Sequence, residues 1–294
     1  MAAAETWTHG RLLEWTAGYL QEHGCENARL DAEVLLAEAA GCQRIDLYAT
    51  FNEEATEACR VAFRELVRRR AEGMPVAYLV GKREFFSLAF RVTPDTLIPR
   101  PETEHLVLAA VDRSKELQAE ISDRPLRAAD VGTGSGIIAV CLAKHVESLE
   151  VLALDLCEKA LEVARENAAT HEVAERVQFQ AGDLLTPVED DTLDLVVSNP
   201  PYVSQDELRD ADREVKDHEP HLALVGGVTG TEVISRLVPQ AASKLRQGGW
   251  LLMEISPMLE TRVRECVVET GSFELSPTIH DLAGHARVIE ARKL

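Results

Sequence analysis

One apolar run in this chain ends in two consecutive prolines: Leu193-Asp194-Leu195-Val196-Val197-Ser198-Asn199-Pro200-Pro201-Tyr202. Leucines and valines in a short bounded run predict a buried strand, and the prolines end it at once. In an open α/β sheet, ligands bind at the carboxyl ends of the strands. The Asn199 amide oxygen and the Pro200 carbonyl form two acceptors suited to a planar NH2 group, with the ring of Tyr202 to stack on it. Asn-Pro alone is also an ordinary turn dipeptide, so a plain turn that binds no ligand is an equally good interpretation of this motif taken alone.

A glycine-rich loop follows an upstream predicted strand, Arg127 to Val131. The loop reads Gly132-Thr133-Gly134-Ser135-Gly136 and leads into an apolar helix. Its glycines permit positive φ and let a ligand lie against bare backbone. A dinucleotide site would show Gly-x-Gly-x-x-Gly for a pyrophosphate. The tighter spacing here favours a ligand with an amino-acid end and no phosphate, because Asp130, just before the loop, would attract an ammonium and repel a phosphate.

Two more predicted strands end beside acidic residues. Asp155 follows Val151 to Leu154, and a carboxylate there accepts hydrogen bonds from both hydroxyls of a ribose. The same side chain is suited to cap the next helix, predicted over residues 157–170, and can serve both purposes. Gly182-Asp183-Leu184 follows a third strand, Val177 to Gln180, at the place where an adenine would lie.

The sequence pattern divides the chain into three parts. Residues 1–80 read as a small helical substrate-recognition domain without a catalytic constellation. Arg68, Arg69 and Arg70 end one of its helices, and we favour a role in complementing the helix dipole over a docking patch. Residues 81–100 predict a β-hairpin linker. Residues 101–294 alternate strands and helices, which predicts an α/β fold with a doubly wound sheet.

Composition narrows the range of functions. The net charge is −19, whereas proteins that grip nucleic acid usually present a basic field, so stable nucleic-acid binding is not expected. No apolar run reaches the length of a membrane span, and the amino terminus lacks the order of a secretory signal. The six cysteines are scattered without a Cys-x-x-Cys. That pattern indicates neither a metal site nor a disulfide framework, and it suits a reducing cytoplasm.

In chain order, these motifs resemble those of the class I S-adenosylmethionine-dependent methyltransferases. They resemble closely those of the N5-glutamine methyltransferases that modify peptide chain release factors, over almost the whole length. The segments that carry the resemblance are Gly81-Lys-Arg-Glu-Phe-Phe86, Ile98-Pro-Arg-Pro-Glu-Thr-Glu104, Asp130-Val-Gly-Thr-Gly-Ser-Gly136, Ser198-Asn-Pro-Pro-Tyr202, Glu219-Pro220, Ala223-Leu224, Asp281-Leu-Ala-Gly284 and Arg287-Val288. The resemblance implies a seven-stranded class I methyltransferase sheet and S-adenosylmethionine as the cofactor.

The resemblance also implies a role for each motif. The residues expected to contact the cofactor are Asp130, Gly132, Thr133, Gly134, Ser135 and Gly136 at its methionine end, Asp155 at the ribose, Asp183 and Leu184 at the adenine, and Asn199 near the methyl group. The residues expected to hold the substrate amide are Asn199, Pro200, Pro201 and Tyr202. Two positions depart from the family pattern: Leu184 stands where relatives often carry a large aromatic residue, and Ser256-Pro257 stands where they often have glycine.

The expected chemistry follows from the nature of an amide. Its nitrogen is a poor nucleophile because the lone pair is delocalised into the carbonyl, so fixing the NH2 group between two acceptors is the help that it needs, without a metal. The first reading is therefore N5-methylation of a release-factor glutamine by a cytoplasmic monomer. The same chemistry on a ribosomal-protein glutamine or on the N6 amine of adenine is a second reading. The third is a cofactor-binding scaffold without turnover.

Overall fold

A computed structural model describes residues 6–121 and 123–294 of the chain. The chain folds into two compact units. The first contains the chain through Lys82 together with Asp212–His218, and the second contains Arg83–Ala211 and Glu219–Leu294. The sequence pattern placed divisions after residues 80 and 100 and did not anticipate that Asp212–His218 belongs with the first unit.

The helices of the described residues are, in chain order, α1 (His9–Glu22), α2 (Ala28–Ala40), α3 (Asp46–Ala49), α4 (Glu57–Ala71), α5 (Val76–Val80), α6 (Thr103–Glu120), α7 (Ile137–His145), α8 (Glu158–Thr170), α9 (Gln205–Asp210), α10 (Arg213–His218), α11 (His221–Leu224), α12 (Glu232–Lys244) and α13 (Glu260–Glu269). The strands are β1 (Lys82–Phe85), β2 (Leu88–Arg91), β3 (Leu126–Val131), β4 (Leu149–Asp155), β5 (Val177–Ala181), β6 (Leu193–Ser198), β7 (Val203–Ser204), β8 (Val225–Gly227), β9 (Leu245–Glu254), β10 (Phe273–Leu275), β11 (Ile279–His280) and β12 (Ala286–Lys293). None of the described helices is both long and apolar enough to cross a bilayer.

The first unit is helical, as its sequence pattern predicted. Thr8 caps α1 by accepting a hydrogen bond from the Arg11 N–H, and Thr56 caps α4 in the same way. The apolar faces of α1, α2 and α4 bury a core rich in leucine, which includes Leu13, Leu20, Leu35, Leu36 and Leu47.

Arg70 at the end of α4 does not serve only the helix dipole. Its side chain is 4% exposed and donates from Nε to Asp31 Oδ2 at 2.7 Å, and it also pairs with Glu214 on α10. A buried guanidinium needs charged acceptors on more than one side. The pair with Glu214 joins Asp212–His218 to the first unit, although its neighbours in sequence belong to the second.

The second unit is built on one continuous sheet with the strand order β10-β12-β9-β6-β3-β4-β5. The pairs from β5 to β9 are parallel, and β12 and β10 are antiparallel to their neighbours. This arrangement confirms the predicted doubly wound, seven-stranded sheet of a class I methyltransferase, to which the two-residue β11 adds at β12. Each sheet face buries its own apolar cluster, one built largely on α6 and α7 and the other on α12 and α13.

The β1–β2 hairpin belongs to the second unit and not to a free linker. Phe85 and Phe90 are buried in the cluster formed with α6 and α7. Apolar burial of two aromatic rings therefore fixes the hairpin on this unit.

Strand register brings the carboxyl ends of five strands to one edge. Val131 on β3 lies opposite both Ser198 on β6 and Leu154 on β4. Ser198 in turn lies opposite Met253 on β9, and Asp155 lies opposite Ala181 on β5. The segments that follow these residues must therefore be neighbours in space, which is the geometry that α/β sheets use to bind ligands.

Candidate active site

A cavity of about 250 Å³ opens at this edge of the sheet. Its wall contains seven of the residues singled out from the sequence: Gly132, Gly134, Asp155, Asp183, Leu184, Asn199 and Pro201. Segments on both sides complete the wall, including Thr96-Leu97 before α6 and Leu222-Ala223 on α11. The lining is largely apolar with a few polar groups, as in most small-molecule sites.

The first two loop glycines present bare backbone to this cavity. Gly132 has φ +75° and Gly134 has φ +56°, and an added Cβ at either position would meet no atom within 4 Å. Left-handed backbone, not lack of room, therefore requires glycine at both positions. Gly136 is left-handed as well, with φ +83°, and its Cβ would in addition lie 3.0 Å from that of Ala164, so it also serves the close packing of α7 on α8.

Asp130, which precedes the loop, and the loop residues Thr133 and Ser135 are buried and are not part of the cavity wall. Asp130 Oδ2 accepts from the Thr133 hydroxyl at 2.6 Å and from the Ala139 N–H at 3.0 Å. Burial raises the pKa of this carboxyl to about 7, and Oδ1 has no hydrogen-bond partner in the described part of the chain. Asp130 thus shapes the loop through Oδ2, and its predicted attraction for a ligand ammonium stays a prediction.

Asp155 lines the cavity and ties two backbone segments together. Oδ2 accepts from the Gly134 N–H at 2.9 Å, and Oδ1 accepts from the Cys157 N–H at 2.8 Å. Burial raises the pKa of the carboxyl, and these N–H donors counteract part of that effect. The N-cap residue of α8 is Cys157, whose side chain makes no capping hydrogen bond, so the prediction that Asp155 is the N-cap is wrong. A carboxylate oxygen can accept two hydrogen bonds, so each oxygen of Asp155 has capacity left for a ligand hydroxyl.

The expected adenine side of the cavity is formed by Asp183 and Leu184. Asp183 pairs with Arg236 of α12, which also lines the cavity. Leu184 has φ +56°, an uncommon conformation for a residue with a branched side chain, and it packs partly against the α12–α13 cluster. Its aliphatic side chain therefore supplies an apolar wall here without an aromatic ring.

At the end of β6, Asn199 and Pro201 reach the cavity wall, while Pro200 and Tyr202 are not part of it. Asn199 Nδ2 donates to the Thr103 hydroxyl at 3.2 Å, so the amide oxygen is the end of the side chain available to a ligand. The Tyr202 hydroxyl donates to Glu254 Oε1 at 3.2 Å. This bond holds the tyrosine hydroxyl at Glu254, and stacking of its ring on a ligand stays a prediction.

Glu254 was not recognised from the sequence. It ends β9 and is 1% exposed, and burial raises the pKa of its carboxyl to about 7. The signal was present, because an acidic residue ends an apolar strand here just as Asp155 ends β4. Its importance depends on the pairing of β9 with β6, which no local pattern reveals.

Two other features near Asn199 also needed the structure. A Cβ on Gly226 of β8 would come within 2.5 Å of the Pro201 carbonyl oxygen, so only glycine lets β8 lie against the Asn-Pro-Pro-Tyr backbone. Glu219 pairs with Arg100 and accepts from the Ile98 N–H at 3.3 Å. The Pro-Arg-Pro stretch is thereby joined to the segment that begins α11, and both flank the cavity.

Within residues 6–121 and 123–294, no group of three or more His, Cys, Asp or Glu side chains is arranged to hold a metal ion.

Comparison with known proteins gives two family matches. Residues 11–81 match the model described as the PrmC N-terminal domain, and residues 109–226 match the methyltransferase small domain. A release factor glutamine methyltransferase of Rhodopirellula baltica is 46% identical over 98% of this chain and 97% of its own length. One from Nitratidesulfovibrio vulgaris is 43% identical over 96% and 94%.

Among solved structures, the hMettl16 catalytic domain in complex with MAT2A 3'UTR hairpin 1 matches with a TM-score of 0.57. It is 16% identical and covers 78% of this chain and 80% of its own. A likeness at that identity bears on the fold alone.

Proposed function

The chain belongs to the release factor glutamine methyltransferase family, and we propose that it methylates the side-chain amide nitrogen (N5) of a glutamine in a peptide chain release factor. The observation that carries this proposal is the orientation of Asn199. Its Nδ2 is committed to Thr103, which leaves an acceptor oxygen at the cavity wall. An acceptor there suits a substrate that brings an NH2 group.

The cavity also suits S-adenosylmethionine. Bare backbone at Gly132 and Gly134 leaves open space for the methionine end, and Asp155 offers its remaining acceptor capacity to the ribose hydroxyls. Leu184 and Asp183 would flank the adenine. When bound, this cofactor supplies an electrophilic methyl group.

The residues of the chain contribute by positioning. We propose that Asn199 Oδ1 and the Pro200 carbonyl accept the two N–H groups of the substrate amide, so that the nitrogen can pyramidalise toward the methyl group. One of the two N–H protons leaves the nitrogen as the N–CH3 bond forms. Pro200 and Pro201 keep the backbone stiff, and Tyr202 supports the motif through Glu254. Holding a reactant in the productive orientation lowers a barrier by up to roughly 7–11 kcal/mol in ideal cases.

We further propose that the helical unit selects the protein substrate. It contains a cavity of about 510 Å³ whose wall includes Trp7, Trp15, Tyr19 and Phe63 together with three arginines. Aromatic and arginine side chains are the residues that most often dominate protein interfaces. With release factors as substrates, the proposed location is the cytoplasm, where translation terminates, and the proposed working form is a monomer.

The test is methylation of purified release factors with labelled S-adenosylmethionine, followed by peptide mapping of the label. The expected result is label on one glutamine side chain, greatly reduced with Asn199→Ala. Ribosomal proteins and an adenine-containing oligonucleotide serve as competing acceptors. Label on a backbone nitrogen, on a ribosomal protein alone or on adenine would contradict the proposal.

A further inference from the structure

Three polar side chains form a buried network behind Asn199. Asn199 donates to the Thr103 hydroxyl at 3.2 Å. Thr103 also hydrogen-bonds the Glu254 carboxylate closely enough to lower its pKa against the larger rise that burial causes. The Tyr202 hydroxyl donates to the same carboxylate at 3.2 Å. Thr103 is fully buried and Glu254 is 1% exposed, so water does not compete for these bonds.

Stability does not explain this carboxylate. Removing a charge from water is costly unless every acceptor is satisfied, and Glu254 Oε2 has no hydrogen-bond partner among the described residues. A neutral or apolar side chain would serve the sheet at least as well. Buried polar groups that are costly to the fold are often maintained for a role at a functional site.

The direction of the hydrogen bonds suggests what that role is. An ionised carboxylate can only accept, so the Thr103 and Tyr202 hydroxyls must both point their protons toward it. A threonine hydroxyl has one proton, and once that proton is used Thr103 can only accept from Asn199. The Asn199 side chain must then present Nδ2 to Thr103 and Oδ1 to the cavity.

We propose that Glu254 is a positioning residue that, through Thr103, fixes the orientation of the Asn199 amide so that its oxygen faces the substrate. This inference rests on the proposed function, in which Asn199 Oδ1 accepts an N–H of the glutamine side chain. A flipped Asn199 would present its own NH2 group to that of the substrate, and no hydrogen bond would form.

Protonation of Glu254 is expected to loosen this arrangement. The protonated carboxyl carries an O–H that can donate to Thr103, which then no longer needs to point its own proton toward Glu254. Burial is the largest cause that raises the pKa of Glu254 to about 7, and Glu102 raises it further, while Thr103, Tyr202 and Arg287 lower it. The Arg287 side chain also pairs with Asp281 at 2.8 Å and lies 3.9 Å from the Glu102 carboxylate. Burial raises the pKa of Tyr202, the other hydroxyl that donates to Glu254, and the positive charge of Arg100 lowers it.

The first test compares turnover of the full-length enzyme and of Glu254→Gln. The glutamine keeps the size of the side chain but adds a donor and removes the charge. We expect kcat to fall on the order of 10-fold to 100-fold, with S-adenosylmethionine affinity and the KM for release factor little changed. The wild-type kcat should rise with pH around the Glu254 pKa of about 7, and the variant should lack this inflection.

Two further variants separate positioning from structure. Thr103→Val removes the connecting hydroxyl and should reproduce the loss in kcat, and combining it with Glu254→Gln should add little. Glu290→Gln is the matched control, because Glu290 is a buried carboxylate on the neighbouring β12 that pairs with Arg113. It should leave the pH profile unchanged even if it lowers stability.

The second test does not depend on the substrate. In protein labelled with ¹⁵N at asparagine, the side-chain NH2 signal of Asn199, assigned with Asn199→Ala, should shift with pH around a midpoint of about 7. The shift should be absent in Glu254→Gln. The inference would be overturned if the Asn199 signal did not change with pH. It would also be overturned if Glu254→Gln had the kcat and the pH profile of the wild type. An absence of label on glutamine with the wild-type enzyme would instead overturn the proposed function, while the NMR titration would still decide the role of Glu254.

Discussion

Asp155 accepts two backbone N–H groups and is also the proposed partner of the ribose, and its replacement should affect both interactions. Asp155→Ala removes the acceptor of the Gly134 and Cys157 N–H groups as well as the proposed partner of the ribose. Charge-assisted hydrogen bonds contribute roughly 1.5–3 kcal/mol, so the Kd for S-adenosylmethionine should rise on the order of 10-fold to 100-fold. Isothermal titration calorimetry measures this change.

The control for Asp155 is another aspartate of the same cavity wall. Asp95 pairs with Lys159 at 3.4 Å at an exposed position, and Asp95→Asn should change the Kd little. Unchanged affinity in a folded Asp155→Ala protein would remove Asp155 from the cofactor site.

Asn199 offers a second test at the residue scale, because asparagine and aspartate have nearly the same shape. Asn199→Asp keeps an acceptor oxygen but loses the NH2 group that donates to Thr103, and it places a negative charge beside the site. Turnover should fall strongly while cofactor affinity is maintained or increases. A general-base mechanism predicts the opposite, so turnover equal to or above that of the wild type would contradict positioning by two acceptors.

Sequence reasoning located Asn199 and Asp155 but not Thr103, and it did not recognise Glu254, although Glu254 also ends an apolar strand. The first two follow predicted strands directly, and the edge of a parallel sheet is known once its strands are known. Thr103 begins a helix and Glu254 ends a strand, and neither position indicates that they meet behind Asn199. Only the pairing of Ser198 with Met253 brings Glu254 to this place.

At the scale of secondary-structure elements, the close approach of β8 to the Asn-Pro-Pro-Tyr backbone should be sensitive to one methyl group. Gly226→Ala would place a Cβ 2.5 Å from the carbonyl oxygens of both Pro201 and Gly230. Because backbone cannot move aside cheaply, we expect a loss of about 1–3 kcal/mol in the free energy of unfolding and a fall in kcat. Urea denaturation and methylation assays measure the two effects.

Gly18→Ala is the matched control for Gly226→Ala. Gly18 lies within α1, and an added Cβ there would meet no atom within 4 Å. Gly18→Ala should leave kcat unchanged and increase stability by up to about 1 kcal/mol, since alanine favours a helix. Wild-type stability and turnover in Gly226→Ala would show that β8 does not constrain the motif.

The elements themselves were largely predictable, and the exceptions have tertiary causes. The strands that flank the site were found because a short apolar run bounded by glycine, proline or acidic residues is typical of a buried strand. The hairpin was found too, but its assignment as a linker missed the burial of Phe85 and Phe90. The membership of α10 in the first unit depends on ion pairing between Glu214 and Arg70, two residues far apart in sequence.

At the scale of the whole molecule, the proposal gives the two units separate tasks, and these tasks can be tested in the intact chain. Deleting the helical unit would also leave α10 without the partners that it has there. A point substitution avoids this difficulty. Trp15 is 55% exposed, stacks on Tyr19 with ring centroids 5.1 Å apart, and lines the cavity of the helical unit.

Trp15→Ala should therefore lower kcat/KM for an intact release factor and leave a short glutamine-containing peptide unaffected. Loss of an aromatic anchor from an interface typically costs at least about 2 kcal/mol, so the expected decrease is on the order of 30-fold, mostly in KM. Met258→Ala is the control, because Met258 is 82% exposed on the second unit. Equal losses on factor and peptide would place the effect at the catalytic unit, and no loss on either would remove this cavity from substrate selection. Only a loss confined to the intact factor supports a division of labour in which the helical unit recognises the protein and the sheet edge holds the amide.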